Sequence, residues 1–198
     1  MNSLLETGKR ARAASRVLGC TTTAQRNDAL DAVSVTRDAH FTDILTENEK
    51  DLAAARINGM TESLQDRLRL TEERIASIAG AVRFVAKLED PVCRVLGGGS
   101  RPNGLKIEKV SVPLGVVGMI YEARPNVTVD AAALCLKSAN ACILRGGKEA
   151  IHSNTAIAKV MRGALREAGL NENCICLVEA TARATAPPGP ARPHGPHR

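Results

Sequence analysis

At 198 residues, with 44% hydrophobic and 24% charged side chains, the chain is long enough for one good core or two small ones and has the composition of an ordinary globular protein. No apolar run approaches the roughly 18 residues of a transmembrane helix, and residues 1–19 lack the apolar core and cleavage site of a signal peptide, so the cytoplasm is the expected compartment and no membrane partner is expected. Half of the +6 net charge comes from Arg183, Arg192 and Arg198, and with one Tyr, two Phe and no Trp there is little on which bases could stack, so nucleic acid is not an expected partner either.

Residues 2–88 read as helices. The first covers about 3–18. Thr22-Thr23-Ala24-Gln25 fits a capping box that opens a second helix, and Thr46-Glu47-Asn48-Glu49 fits another that opens a third, closed by Asn58-Gly59. Helices over 61–70 and 71–88 follow. The alternating Glu, Arg and Lys of this region read as a solvated face. Residues 90–104, with Gly97-Gly98-Gly99 and Pro102-Asn103-Gly104, read as a loop and turn; no Lys-Ser/Thr follows the glycines, which leaves only a weak case for a phosphate loop. Residues 105–112 alternate apolar and charged side chains, as a half-exposed strand or hairpin arm would.

The stretch 113–148 organises the rest. Val116-Val117-Gly118-Met119-Ile120 has the composition of a strand buried on both faces. A loop is expected at 121–126, because Pro125 drives Arg124 out of helical geometry. A helix over 127–139, a strand over 141–144, a basic turn at Arg145-Gly146-Gly147-Lys148, a helix over 149–168 and a strand over 174–178 complete the pattern. The fold class is therefore α/β, a helical N-terminal region followed by a doubly wound parallel sheet whose ligands belong beyond the strand C-termini. Asn126 and the 145–148 turn both fall on that edge. An asparagine amide there could donate to an oxygen bearing developing negative charge, although a turn residue after Pro125 reads equally well. Arg145 and Lys148 flank two glycines whose backbone can approach a phosphate. No GxGxxG follows any strand.

The six cysteines (Cys20, Cys93, Cys135, Cys142, Cys174 and Cys176) form no CxxC pair and are expected to be buried, inert thiols. Residues 181–198 hold five of the nine prolines and no apolar side chain larger than alanine, so they are expected to be disordered; His194 and His197 there lack the fixed geometry of a metal site.

The segment KVSVPLGVVGMIYEARPNVTVDAAALCLKSANACILRGGKEAIHSNTAI, residues 109–157, resembles the gamma-glutamyl phosphate reductases, a family of the aldehyde dehydrogenase superfamily. GGGSRPNGLKIEKVSVPLG and the helical region fit as well, so the resemblance covers about residues 1–180. It implies an incomplete aldehyde dehydrogenase-like cofactor domain over 113–180, preceded by a helical region over 1–90 and a Gly-rich loop with a short β segment over 91–112. It also implies NADPH-dependent reduction of gamma-glutamyl phosphate to glutamate 5-semialdehyde in proline biosynthesis, with homo-oligomers in the full-length enzyme. Asn126 matches the superfamily's oxyanion-stabilising asparagine. Arg145, with Gly146, Gly147 and Lys148, matches the cofactor-binding turn. The family's nucleophilic cysteine belongs to a later domain that no stretch of this chain matches, and 181–198 does not look like family sequence. The chain alone is expected to be inactive, or to serve as an NADP-binding or subunit-interaction module.

Overall fold

The computed structural model describes residues 4–35 and 37–179; the expectations for 181–198, including His194 and His197, lie outside them. Five helices come first: α1 (Leu4–Leu18), α2 (Thr23–Val35), α3 (Arg37–Ile57), α4 (Glu62–Leu68) and α5 (Glu72–Lys87). Whereas α4 buries only Leu68, the longer helices each bury one stripe. In α1 it is Ala11, Ala14, Ser15 and Leu18, and in α5 it is Ile75, Ala79, Val82 and Ala86, the i, i+3/i+4, i+7 spacing that faces a core. The capping box of α2 is present in full: Thr22 N donates to Gln25 Oε1 at 2.9 Å and Gln25 N donates to Thr22 Oγ1 at 3.2 Å. The second expected box is not a helix start. Residues 46–49 lie inside α3, where Thr46 Oγ1 donates to Thr42 O at 2.8 Å. Asn48 instead turns inward, donating to Leu68 O and Ser153 Oγ and accepting from Leu70 N, so a residue type that fits a cap serves here as a buried bracket.

The glycine run is strand rather than loop. β1 (Val95–Ser100) pairs antiparallel with β2 (Lys106–Val110), and the turn falls between them at 101–105. A Cβ on Gly98 would stand 2.5 Å from Ile107 O, so the arm opposite demands a bare backbone there. The hairpin is exposed along its whole length, more so than the half-exposed arm expected.

The second half is a parallel three-stranded sheet in the order β3 (Val116–Ile120), β4 (Ala141–Arg145), β5 (Ile175–Leu177), joined by α6 (Pro125–Lys137) and α7 (Ile151–Glu167). Both crossovers step the same way along the sheet, and α6 and α7 pack against each other. α1 touches all three strands, while α2, α3 and α5 form an outer layer on α6 and α7. One core runs through all of it, from Ala14 and Leu18 through Leu30 and Val82 to Val129, Leu144, Met161 and Ile175. β4 is buried, as expected of a central strand. β3 is only half-buried, with Ile120 80% exposed, because its outer edge and the end of one face have nothing packed on them among the described residues.

Candidate functional site

Strands β3 and β4 end level with each other, Ile120 opposite Arg145, and the loops that follow them are stitched together. Tyr121 N donates to Arg145 O at 3.1 Å and Gly147 N reaches Glu122 O at 3.5 Å. Arg124 is extended (φ −119°, ψ 101°), as a residue before proline must be. The loop is shorter than expected, because Pro125 is the first residue of α6. Its missing N–H costs nothing at that position, and its fixed φ suits the helix. Asn126 therefore sits in the first turn of α6, not in a loop. Its backbone N–H has no intrahelical partner and the positive end of the helix dipole surrounds it. Its side-chain amide donates to Asp130 Oδ2 over a long 3.3 Å, which leaves one N–H to spare. Burial pushes the Asp130 carboxyl above its usual range, and the hydrogen bond from Asn126 offsets part of that.

In the adjoining turn, Arg145 and Lys148 are exposed, and neither has a carboxylate at salt-bridge distance among the described residues. Both cations are free to meet a phosphate. The two glycines answer to the protein first. A Cβ on Gly146 would lie 2.2 Å from Asn154 Nδ2 and 3.0 Å from the Tyr121 ring, and one on Gly147 would meet Glu149 Oε2 at 2.6 Å. What packs against Gly146 is an ordered chain: Tyr121 Oη and Thr128 Oγ1 lie 2.7 Å apart, and Thr128 Oγ1 donates to Asn154 Oδ1 at 2.8 Å. That chain ties β3, α6 and α7 together beneath the turn. Asn154 Nδ2 is buried without a partner and points at the Gly146 backbone. The edge thus carries two exposed cations beside a turn whose glycines make room for the protein's own side chains.

Beside Asn126 lies a cleft of about 320 Å³ that sequence reasoning did not find. Arg67, Arg69 and Arg74 from the α4–α5 junction line it together with Arg124, Asn126 and Asp66. As sequence these arginines belonged to a solvated helix face. They converge because α4 stops at Leu68 and α5 starts at Glu72, and the turn carries them to the first turn of α6. A smaller void of about 50 Å³ between α2, α5 and α7 is lined by apolar side chains alone and belongs to the core.

Four cysteines, Cys135, Cys142, Cys174 and Cys176, are buried as expected; Cys20, just after α1, and Cys93, just before the hairpin, are exposed, contrary to expectation, since among the described residues nothing covers them. The hydrogen bond with Cys135 and burial push the Cys142 thiol well up, and burial, with Cys176 nearby, raises Cys174 to about 11. Neither is a thiolate at neutral pH.

The helix-covered parallel sheet with its basic turn is part of an aldehyde dehydrogenase fold. An acetylating aldehyde dehydrogenase from Geobacillus thermoglucosidasius superposes on 90% of this chain and 37% of its own with a TM-score of 0.62 at 14% identity. No protein-family model matches the chain. Much nearer are two solved gamma-glutamyl phosphate reductases. That of Thermotoga maritima shows TM-score 0.89 and 42% identity over 91% of this chain and 44% of that one, and that of Saccharomyces cerevisiae 0.85 and 32% over 92% and 47%. The curated gamma-glutamyl phosphate reductase of Geobacillus thermodenitrificans is 51% identical over 186 residues, 94% of this chain. Over the 186 residues that align, the chain is similar to gamma-glutamyl phosphate reductases, identical to them at about half of its positions. That part is about 45% of the length of the curated relatives it matches.

Proposed function

We propose that the chain supplies the oxyanion and cofactor edge of an NADPH-dependent gamma-glutamyl phosphate reductase. The reaction takes gamma-glutamyl phosphate, NADPH and a proton to glutamate 5-semialdehyde, inorganic phosphate and NADP⁺. When bound, the cofactor supplies the hydride. Asn126 holds negative charge on the substrate's carbonyl oxygen through its spare amide N–H, with the positive end of α6 behind it. Arg145 and Lys148 take the cofactor's phosphates. Arg145 is the better choice for a 2′-phosphate, because a planar guanidinium binds two oxygens at once. Gly146 and Gly147 keep the turn low enough for that approach.

The observation that carries the reading is the joining of the α6 N-terminus and the 145–148 turn at one sheet edge by Tyr121 N–Arg145 O and Gly147 N–Glu122 O. The family match supports the substrate. None of the six cysteines is the nucleophile in this reading, so the chain alone binds cofactor without turnover. Titration of the 198-residue chain with NADPH and NADH, read by nicotinamide fluorescence, tests it. NADPH is expected to bind more tightly, and Arg145→Ala to remove about tenfold of that preference, the loss of one charge-assisted contact. A folded chain that ignores NADPH, or an Arg145→Ala variant with the preference intact, rules the cofactor assignment out.

A further inference from the structure

The cleft beside Asn126 holds four guanidinium groups and one carboxylate, and the carboxylate is already taken. Arg74 Nη2 contacts Asp66 Oδ1 and Oδ2 at 2.9 and 3.1 Å, while Arg74 Nη1 donates to the carbonyls of Arg69 (2.8 Å) and Asp66. That pair forms one fixed wall. Arg67, Arg69 and Arg124 have no carboxylate within salt-bridge distance among the described residues. Three uncompensated cations on a convex surface would simply be hydrated. Here all three line one concavity, where an anion bound among them would relieve their mutual repulsion.

The backbone that carries them is held firmly. Buried Asn48 brackets the α4–α5 junction by bonding Leu68 O at 2.9 Å and Leu70 N at 2.8 Å, so the residues on either side, Arg67 and Arg69, project from a fixed turn. On the opposite side, Arg124 is set by the Pro125 geometry at the start of α6, whose first turn contains no acidic residue. A volume of about 320 Å³ lies at the small end of the roughly 300–1,000 Å³ of small-molecule sites. No aromatic side chain lines it, which disfavours a nucleobase.

We infer that the cleft between the α4–α5 junction and the start of α6 is a recognition site for the carboxylate or phosphate group of a small acidic ligand, with Arg67 and Arg124 as its specificity-determining residues. It opens on Asn126, so an anion held there presents the remainder of its molecule to the spare amide N–H. That last step rests on the oxyanion role proposed for Asn126; anion binding itself does not. Arginine suits either group, because its fork matches two oxygens of a carboxylate or a phosphate.

Calorimetric titration of the 198-residue chain with glutarate and, separately, with inorganic phosphate tests the inference. At least one of the two is expected to bind saturably and to weaken as salt is raised. Glutarate binding identifies a carboxylate site and phosphate binding a phosphate site. The Arg67→Gln, Arg124→Gln double variant should bind at least about tenfold more weakly, as expected from losing charge-assisted hydrogen bonds. The Arg67→Lys, Arg124→Lys variant, which keeps the charge and hence the fold but loses the forks, should fall between. Arg145→Ala should bind the anion normally. Failure of both anions to bind, or binding unchanged in the Gln variant, overturns the site, as does binding lost in Arg145→Ala. NADPH binding without anion binding would sink the cleft and leave the cofactor edge standing; anion binding without NADPH binding would do the reverse.

Discussion

Asp90 shows how single residues hold this molecule together. Its carboxylate receives Arg26 Nη2, Thr23 Oγ1 and Val92 N, and so pins the end of the α5 region to the start of α2. Burial works to raise its pKa. The hydrogen bonds from Thr23 and Val92 and the charges of Arg26 and Lys137 outweigh that and hold it below the usual carboxylate range. Lys137 completes the cluster, 4% exposed, with its ammonium on Asn27 Oδ1 and Ala86 O. A folded value below the unfolded one, near 3.9, means that Asp90 contributes in full above about pH 4 and loses its contribution as pH falls through the folded value. Chemical denaturation across the acid range should therefore show stability dropping below about pH 4. Asp90→Asn should lose about 2 kcal/mol at neutral pH, less than the roughly 3–5 kcal/mol of a fully buried pair, and should show a shallower acid limb. An acid limb as steep as the wild type's would mean that other carboxylates dominate.

At the scale of elements, the helical region is built from caps and stripes that act locally. Both hydrogen bonds of the α2 box depend on adjacent side chains alone, which is why they could be read from four letters. Thr22→Ala should cost about 1 kcal/mol in thermal or urea unfolding without altering the fold. Thr46→Ala, mid-helix and exposed, should cost almost nothing, so the two variants together distinguish a true box from its look-alike. The turn between α4 and α5 shows the opposite dependence. Thr71 caps α5 through Arg74 N at 3.2 Å, a local contact, but the position of the turn is set by Asn48, more than twenty residues earlier in α3.

For the whole molecule, the sheet is the decisive feature. Parallel sheets are normally covered on both faces and continued by further strands. Among the described residues this one has three strands, and β3 and β5 each leave one edge unpaired. Ile120 at 80% and Leu114 at 85% exposure lie beside the β3 edge. An open edge with large apolar side chains is a template for pairing with another chain. The chain should therefore associate as concentration rises, and light scattering across a dilution series should detect it. Ile120→Lys should shift the onset to higher concentration, whereas no change in that variant would place the contact elsewhere.

Much of this protein was present in the sequence because much of it is local. Helix stripes, the Thr22 box, the Arg124-Pro125 break, the parallel βαβαβ order and the basic turn each depend on residues within a few positions of one another. The glycine run reads as a loop in sequence because its strand character comes from pairing with β2, which composition does not encode. Asn126 could be placed at the right sheet edge but not on the right element, since proline at a helix start and proline in a loop look alike until the following residues pack. The arginine cleft was wholly out of reach. Arg67 and Arg69 come from the α4–α5 junction and Arg124 from the start of α6, and only the packing of α5 on α6 brings their charges around one space. Periodicity decides which side of a helix is apolar; which polar sides end up facing each other is decided only by the tertiary structure.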